Sequence, residues 1–365
     1  MMRQSNTALW RQYLLTSFFG WRILMMRSTF KSFVACALAL ASAGLFASAA
    51  QAADPQYKKI KEIAVGGAGS WDYLLADADA QRLYVSHGTK VVVIDTTTDK
   101  VIGEITNTPG VHGIAIVPEL KRAYTSNGQG NNVSVVDLES KDASGKYTFK
   151  TLSTIKTGQN PDAIMYDAKS GELWTCNGRS STFTAIDPKT EKIISDGVAT
   201  GGKPETGAID ASLNRAFINI ENKNEVIEID LKEHKVLNHW PLAPATGPTG
   251  MAYVPDLHRI IVGASKMVML DPSNGKIVAT LDCGAGVDAA AYDPSTHMAF
   301  VSAGGDGTVT VAKVEADKLT LVQTLKTEPG ARTMTVDSKT HRIYLANSPS
   351  RTDPNAFKVL VYGTE

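Results

Sequence analysis

A strand-like motif built around one large apolar residue recurs seven times, and its spacing restricts the fold more than any other feature of the chain. The first three copies are Arg82-Leu83-Tyr84-Val85, Arg122-Ala123-Tyr124-Thr125 and Glu172-Leu173-Trp174-Thr175. The other four are Arg215-Ala216-Phe217-Ile218, Arg259-Ile260-Ile261-Val262, Met298-Ala299-Phe300-Val301 and Arg342-Ile343-Tyr344-Leu345. The central residues at 84, 124, 174, 217, 261, 300 and 344 lie 39 to 50 residues apart. Between them, apolar and polar positions alternate with many β-branched residues, the period of strands rather than helices. A unit of this length holding several short strands is the signature of a β-propeller, one four-stranded blade per unit.

Each unit divides into the same parts. An inner strand (Ile114 to Val117, Ile164 to Asp167, Ala208 to Asp210) turns through a polar cluster into the strand carrying the central residue. A third strand ends in aspartate at Asp95, Asp137, Asp187, Asp230 and Asp271. In four units a lysine follows five residues later (Lys100, Lys192, Lys235, Lys276) and opens a fourth strand across hairpin-type residues. The last unit, Arg332 to Val361, supplies only three strands, while Tyr57 to Val65 precedes the first unit and belongs to none. That segment is expected to be the outer strand of the last blade, which closes the ring and removes a sheet edge. The expected fold is all-β: a seven-bladed propeller over residues 53–365, its last blade completed by the N-terminal strand of the mature chain.

Residues 1–52 read as an N-terminal extension plus a signal peptide. Arg27 and Lys31 form a basic n-region, Phe33 to Phe46 an apolar h-region, and Ala50-Gln51-Ala52 a cleavage site, with Met26 as the expected true start. Cleavage after Ala52 predicts a Sec-exported protein, periplasmic or secreted, with no stable membrane anchor. The whole chain carries 37 Lys+Arg and 37 Asp+Glu; removing residues 1–52 takes away five basic residues and no acidic ones, leaving a net charge of about −5. An acidic balance disfavours a nucleic-acid binder, which needs a basic face. Only Cys176 and Cys283 remain, in different units, and read as buried free thiols; no C-x-x-C-H occurs, so no covalent haem is expected.

With these elements in place the chain resembles the YVTN-repeat propellers, the YncE-like family. The residues that carry the likeness are Tyr84-Val85-Ser86-His87, Tyr124-Thr125-Ser126-Asn127, Trp174-Thr175-Cys176-Asn177 and Tyr344-Leu345-Ala346-Asn347, with the Val-Val-Asp and Asp-x4-Lys elements. Units four to six depart from it at Ile220, Ala264 and Ala303, where the others carry Asn or His. The resemblance implies an exported propeller and is uninformative about activity; DNA binding, known for a relative, is disfavoured by the charge.

Inner strands begin, and second strands end, on one face of a propeller, so two positions per unit are expected to converge at the channel mouth. Twelve residues before the central positions stand Asp72, His112, Asp162, Glu205, Thr249, Asp288 and Arg332, all polar. Three residues after them stand His87, Asn127, Asn177, Ile220, Ala264, Ala303 and Asn347. A channel mouth tolerates polar residues without any ligand, but ionisable groups in six of seven equivalent slots favour a binding site. The expected ligand-binding set is Asp72, His87, His112, Asn127, Asp162, Asn177, Glu205, Asp288, Arg332 and Asn347. Carboxylates with Asn carbonyls suit Ca²⁺, whereas Asp72, His87, His112 and Asp162 suit Zn²⁺ or Cu²⁺.

The leading expectation is a monomeric binding or scaffold protein for a small solute or a periplasmic protein partner. The alternative is a metal-assisted hydrolase or lyase of lactonase type on the same ring, with His87 or His112 as base; no nucleophile–base pair can be placed. His234, His258, His297 and His341 are expected in exposed turns, and Lys141 to Lys150 as a longer hairpin on the opposite face.

Overall fold

The structure is a computed structural model and describes residues 54–364. Twenty-eight strands form seven four-stranded antiparallel sheets, with two single 3₁₀ turns, Pro118–Leu120 and Glu221–Lys223, as the helical content of the described residues. Blade 1 is typical: Trp71–Asp77 runs along the channel, followed outwards by Arg82–His87, Lys90–Asp95 and Lys100–Ile105. The innermost strands of successive blades touch in cyclic order, and that of blade 7, Met334–Asp337, lies against Trp71–Asp77 of blade 1. Blade 7 takes its outer strand from the start of the chain: Lys58–Ala64 pairs antiparallel with Lys358–Gly363. The seven blades and the closing strand are therefore as the repeat predicts.

The recurrent apolar residue forms the joints between blades. Tyr84, Tyr124, Trp174, Phe217, Ile261, Phe300 and Tyr344 are fully buried. Each lies in a separate cluster that unites its own blade with the next. Tyr84 packs with Val111, Ile114 and Val136 of blade 2, and Tyr344 closes the circle against Leu74 and Leu83 of blade 1. Burying such a side chain contributes about 1.5–3 kcal/mol, so every interface holds one strong apolar anchor. At Gly250 a Cβ would meet Ala290 N at 2.3 Å, so blades 5 and 6 approach more closely there than any other residue permits.

The aspartate that ends five of the third strands has a local explanation. Asp95 Oδ1 accepts hydrogen bonds from the Thr97 and Thr98 N–H groups, and Asp230 Oδ1 from those of Lys232 and Glu233. These are Asx turns, in which a short carboxylate replaces backbone acceptors and tightens the hairpin. Asp77, Asp167, Asp210, Asp293 and Asp337 cap the ends of inner strands in the same way.

Two expectations are corrected, for His234 and for Cys283. His234 is half-buried in its turn rather than exposed, bonded to Glu172 Oε2 at 2.8 Å and set beside Trp174. His258 and His297 are exposed as expected and His341 is half-exposed; they face Asp210, Asp256 and Asp293 of the preceding blade at 3.7, 3.0 and 2.7 Å, stapling blades together. Cys283 is half-buried rather than buried, unlike Cys176. The 141–150 hairpin folds back on blade 1: Phe149 is buried and fills the space over Gly103, where a Cβ would lie 2.7 Å from its ring. The expected extension and signal peptide, residues 1–52, lie outside the described residues.

Candidate functional site

The inner strands open with irregularities that aim side chains at the channel. In blades 1 to 4 the pairing to the second strand shifts between Trp71 and Leu74, Val111 and Ile114, Pro161 and Ile164, and Pro204 and Gly207; in blade 6 it shifts between Val287 and Ala289. Asp72, His112, Asp162, Glu205 and Asp288 all lie within these bulges, which re-aim side chains where regular pleating would not. Hydroxyls of neighbouring blades fix the backbone here. Ser126 donates to the Asp162 carbonyl, Thr333 to the Asp72 carbonyl at 2.7 Å, and Thr249 to the Val287 carbonyl at 3.0 Å. The polar side chains thus stand on a rigid belt.

Six of the seven residues placed twelve before the central positions form one connected charge network. His112 Nδ1 lies 2.5 Å from Asp72 Oδ2 and 3.5 Å from Asp162 Oδ1. Arg332 Nε donates to Asp288 Oδ2 at 2.5 Å, while its Nη2 reaches the Trp71 carbonyl at 2.7 Å and stands 3.9 Å from Asp72 Oδ1. Lys203, a residue the repeat did not flag, donates to Glu205 Oε1 at 2.9 Å and to Glu221 Oε2 at 2.5 Å. Thr249 is drawn away into its carbonyl contact. Lys203 lies two residues before Glu205, and that spacing was the signal available for it.

Burial makes these carboxyls unusual. Asp162 and Glu205 are 6% and 8% exposed. Desolvation and the neighbouring Asp162 charge push the Glu205 carboxyl up to about 9. Burial likewise raises Asp162, with the Asp72 charge adding to it and His112 opposing. Burial, then the Asp72 charge, raise Asp288 to about 6. Burial alone would lower His112, but its bond to Asp72 and the charges of Asp162 and Asp72 outweigh that and raise it, so the imidazolium is favoured. No N–H or O–H of a neighbouring residue reaches Glu205 Oε2. Two buried carboxylates side by side cannot readily both ionise, so the Asp162–Glu205 pair favours holding a proton.

The second set does not join this network. Asn127 Nδ2 donates to Asn132 Oδ1 and Ser134 Oγ at 2.7 and 2.8 Å, and its Oδ1 accepts from Thr125 at 3.0 Å. Asn177 is occupied in the same way by Thr182, Thr184 and Thr175. Asn347 donates to Glu328 at 3.0 Å. His87 is 2% exposed and stacked on Phe357 at 3.9 Å, with neither ring nitrogen hydrogen-bonded, and burial pushes it down to about 4. Register explains the exclusion: these residues pair with Trp71, Val111 and Pro161, one residue before the bulged ring positions. They stand one strand outward, buried between sheets. The expected metal set thus contracts to Asp72, His112 and Asp162, whose ligand atoms all lie within 4.8 Å of one another.

Below the ring Tyr73 reaches from blade 1 to the apolar cluster shared by blades 3 and 4 and narrows the channel. Burial, reinforced by the ring carboxylates, raises its hydroxyl well above the usual range. A cavity of about 220 Å³ occupies the channel interior, lined by Tyr73, Ile164, Met251 and Met334 among others. The larger cavity, about 890 Å³, opens at the opposite end between Asp77, Tyr166 and Ile209. Size and chemistry disagree about the site. The wide end has paired or turn-capping charges over apolar walls, so the narrow charged mouth is the better candidate. Its groups can hold a cation or pass a proton between Asp162 and Glu205. Cys176 beneath is a fully buried thiol, raised well above its usual range by burial, and is inert as a nucleophile.

No protein-family model matches the chain, and no curated protein does. Among solved structures it is similar to the Kuenenia stuttgartiensis hydrazine synthase, with a TM-score of 0.68 and 17% identity over 80% of this chain and 95% of that one. At that identity the likeness shows the seven-bladed propeller and nothing finer.

Proposed function

We propose that this propeller is an exported binding module of YVTN type that takes a cationic ligand at the mouth where its inner strands begin. The carrying observation is the buried pair Asp162 and Glu205, with Glu205 Oε2 reached by no donor, beside Asp72 and Asp288. The four carboxyls face Arg332, Lys203, which Glu221 also claims, and the titratable His112. A rigid belt that already holds such groups together loses little entropy on binding, which is how a preorganised site gains affinity. Binding is favoured over catalysis because the nearby hydroxyls of Ser126 and Thr333 are committed to backbone carbonyls.

Thermal unfolding with a panel of cations, organic amines and divalent metals, tests the site. A ligand specific for the folded state stabilises it by about 2.7 kcal/mol at one hundred times its Kd. That shift should vanish in Asp162→Asn; a shift of equal size in both proteins would place the ligand elsewhere. Export is tested separately by sequencing the N-terminus of protein recovered from the periplasmic fraction, expected at Ala53. Recovery of the unprocessed chain from the cytoplasm would refute it.

A further inference from the structure

We propose that Asp72, His112 and Asp162, with Glu205 as a fourth donor, form a site for one divalent transition-metal ion of the zinc class. The inference rests on the reading that the mouth takes a cation and narrows that cation to a metal. Its basis is the convergence of one imidazole nitrogen and two carboxylates from three successive blades within 4.8 Å. A second, independent observation points the same way. Glu205 is nine-tenths buried, its Oε1 is held by Lys203, its carboxyl lies beside that of Asp162, and no donor of the surrounding residues reaches its Oε2.

Geometry is close to what such an ion requires. Zinc–nitrogen and zinc–oxygen bonds of about 2.0–2.2 Å in a tetrahedron put neighbouring donors roughly 3.4 Å apart. His112 Nδ1 and Asp162 Oδ1 are already 3.5 Å apart, whereas Asp72 Oδ2, at 2.5 Å, would have to withdraw by about 1 Å. That movement is feasible because the other Asp72 oxygen is held only loosely, 3.9 Å from Arg332. Ligation at Nδ1 replaces the His112–Asp72 hydrogen bond and requires the neutral ring.

Donor chemistry selects the ion. Calcium needs six to eight oxygens, and two of the Asn carbonyls that could supplement the carboxylates are already engaged, Asn127 Oδ1 by Thr125 and Asn177 Oδ1 by Thr175. A mixed set of one imidazole and carboxylates suits zinc, cobalt and their neighbours.

The test uses the whole exported chain, stripped with EDTA and titrated with Co²⁺ as a visible probe, then with Zn²⁺ in competition, and in parallel with spermidine by calorimetry. One equivalent of Co²⁺ per chain is expected, displaced by Zn²⁺. It should be lost in His112→Gln and Asp162→Asn and retained in His87→Gln. If Asp162→Asn melts too low to be assayed, His112→Gln carries the test. Metal binding that survives His112→Gln overturns the proposal. Spermidine binding that depends on Asp162, without metal binding, overturns it and leaves the cation-binding reading standing. Failure of both ligands in a folded protein overturns both.

Discussion

The two ends of the channel use the same residue types to opposite effect. Where the inner strands end, carboxylates sit in turns and meet N–H and O–H donors. Hydrogen bonds from Thr97 hold Asp95 below the usual range, those from Thr190 do the same for Asp187, and the Glu233 N–H does so for Asp230. Where the inner strands begin, Asp162, Glu205 and Asp288 are buried among one another, and desolvation raises all three. A carboxylate met by donors is part of the scaffold. One that is buried without enough donors is held at a cost that the scaffold's stability must absorb, and such costs concentrate at functional sites. The difference separates structure from site better than cavity size does, since the larger cavity lies at the saturated end.

The contrast predicts that substitutions at the strand-end face change stability and not ligand binding. Phe149→Ala, which empties the joint between the 141–150 hairpin and Gly103, should cost about 3–5 kcal/mol in chemical denaturation. Cation binding at the mouth should be unaltered; a joint loss of both would break the division. His87→Phe is expected to raise stability at pH 7 by about 1–3 kcal/mol, because it removes a buried imidazole without partners and keeps the stack on Phe357. The folded pKa of His87 lies below its unfolded value, so its contribution is present above about 6.5 and lost as pH falls towards about 4. The variant should lose less stability than the parent across that window.

Glu205 runs the other way. Its folded pKa lies above the unfolded value, so its contribution is complete below about 4.5 and disappears as pH rises to about 9. Glu205→Gln should therefore flatten the fall in melting temperature between pH 5 and pH 9, where one proton is worth at most about 1.4 kcal/mol per pH unit. Parallel pH profiles for the two proteins would show that burial does not hold the Glu205 proton. The smallest effect is expected at Asp79, whose exposed pairing with Lys339 at 2.6 Å should leave the melting temperature unchanged on Asp79→Ala.

The ring positions were legible as a pattern of polar residues at one phase of the repeat, and His112, Asp162 and Glu205 are where that phase puts them. His87, Asn127 and Asn177 shared the phase argument but pair with the residue before each bulge and stand outside the network, while Asn347 is bonded to Glu328. Lys203 was legible from its nearness to Glu205 in the chain, and it pairs with that acid. The partners of the turn histidines were invisible, since each lies in the preceding blade, 41 to 48 residues earlier in the chain for His297, His258 and His341.

The sequence by itself determined the number of blades, their four strands and the closing role of residues 58–64, because period and alternation are local properties repeated along the chain. Tertiary structure alone decided which polar groups meet, how deeply they are buried and hence which hold protons. Those quantities depend on bulges and contacts between blades, and a carboxyl's charge is set by the donors and dielectric that folding brings to it.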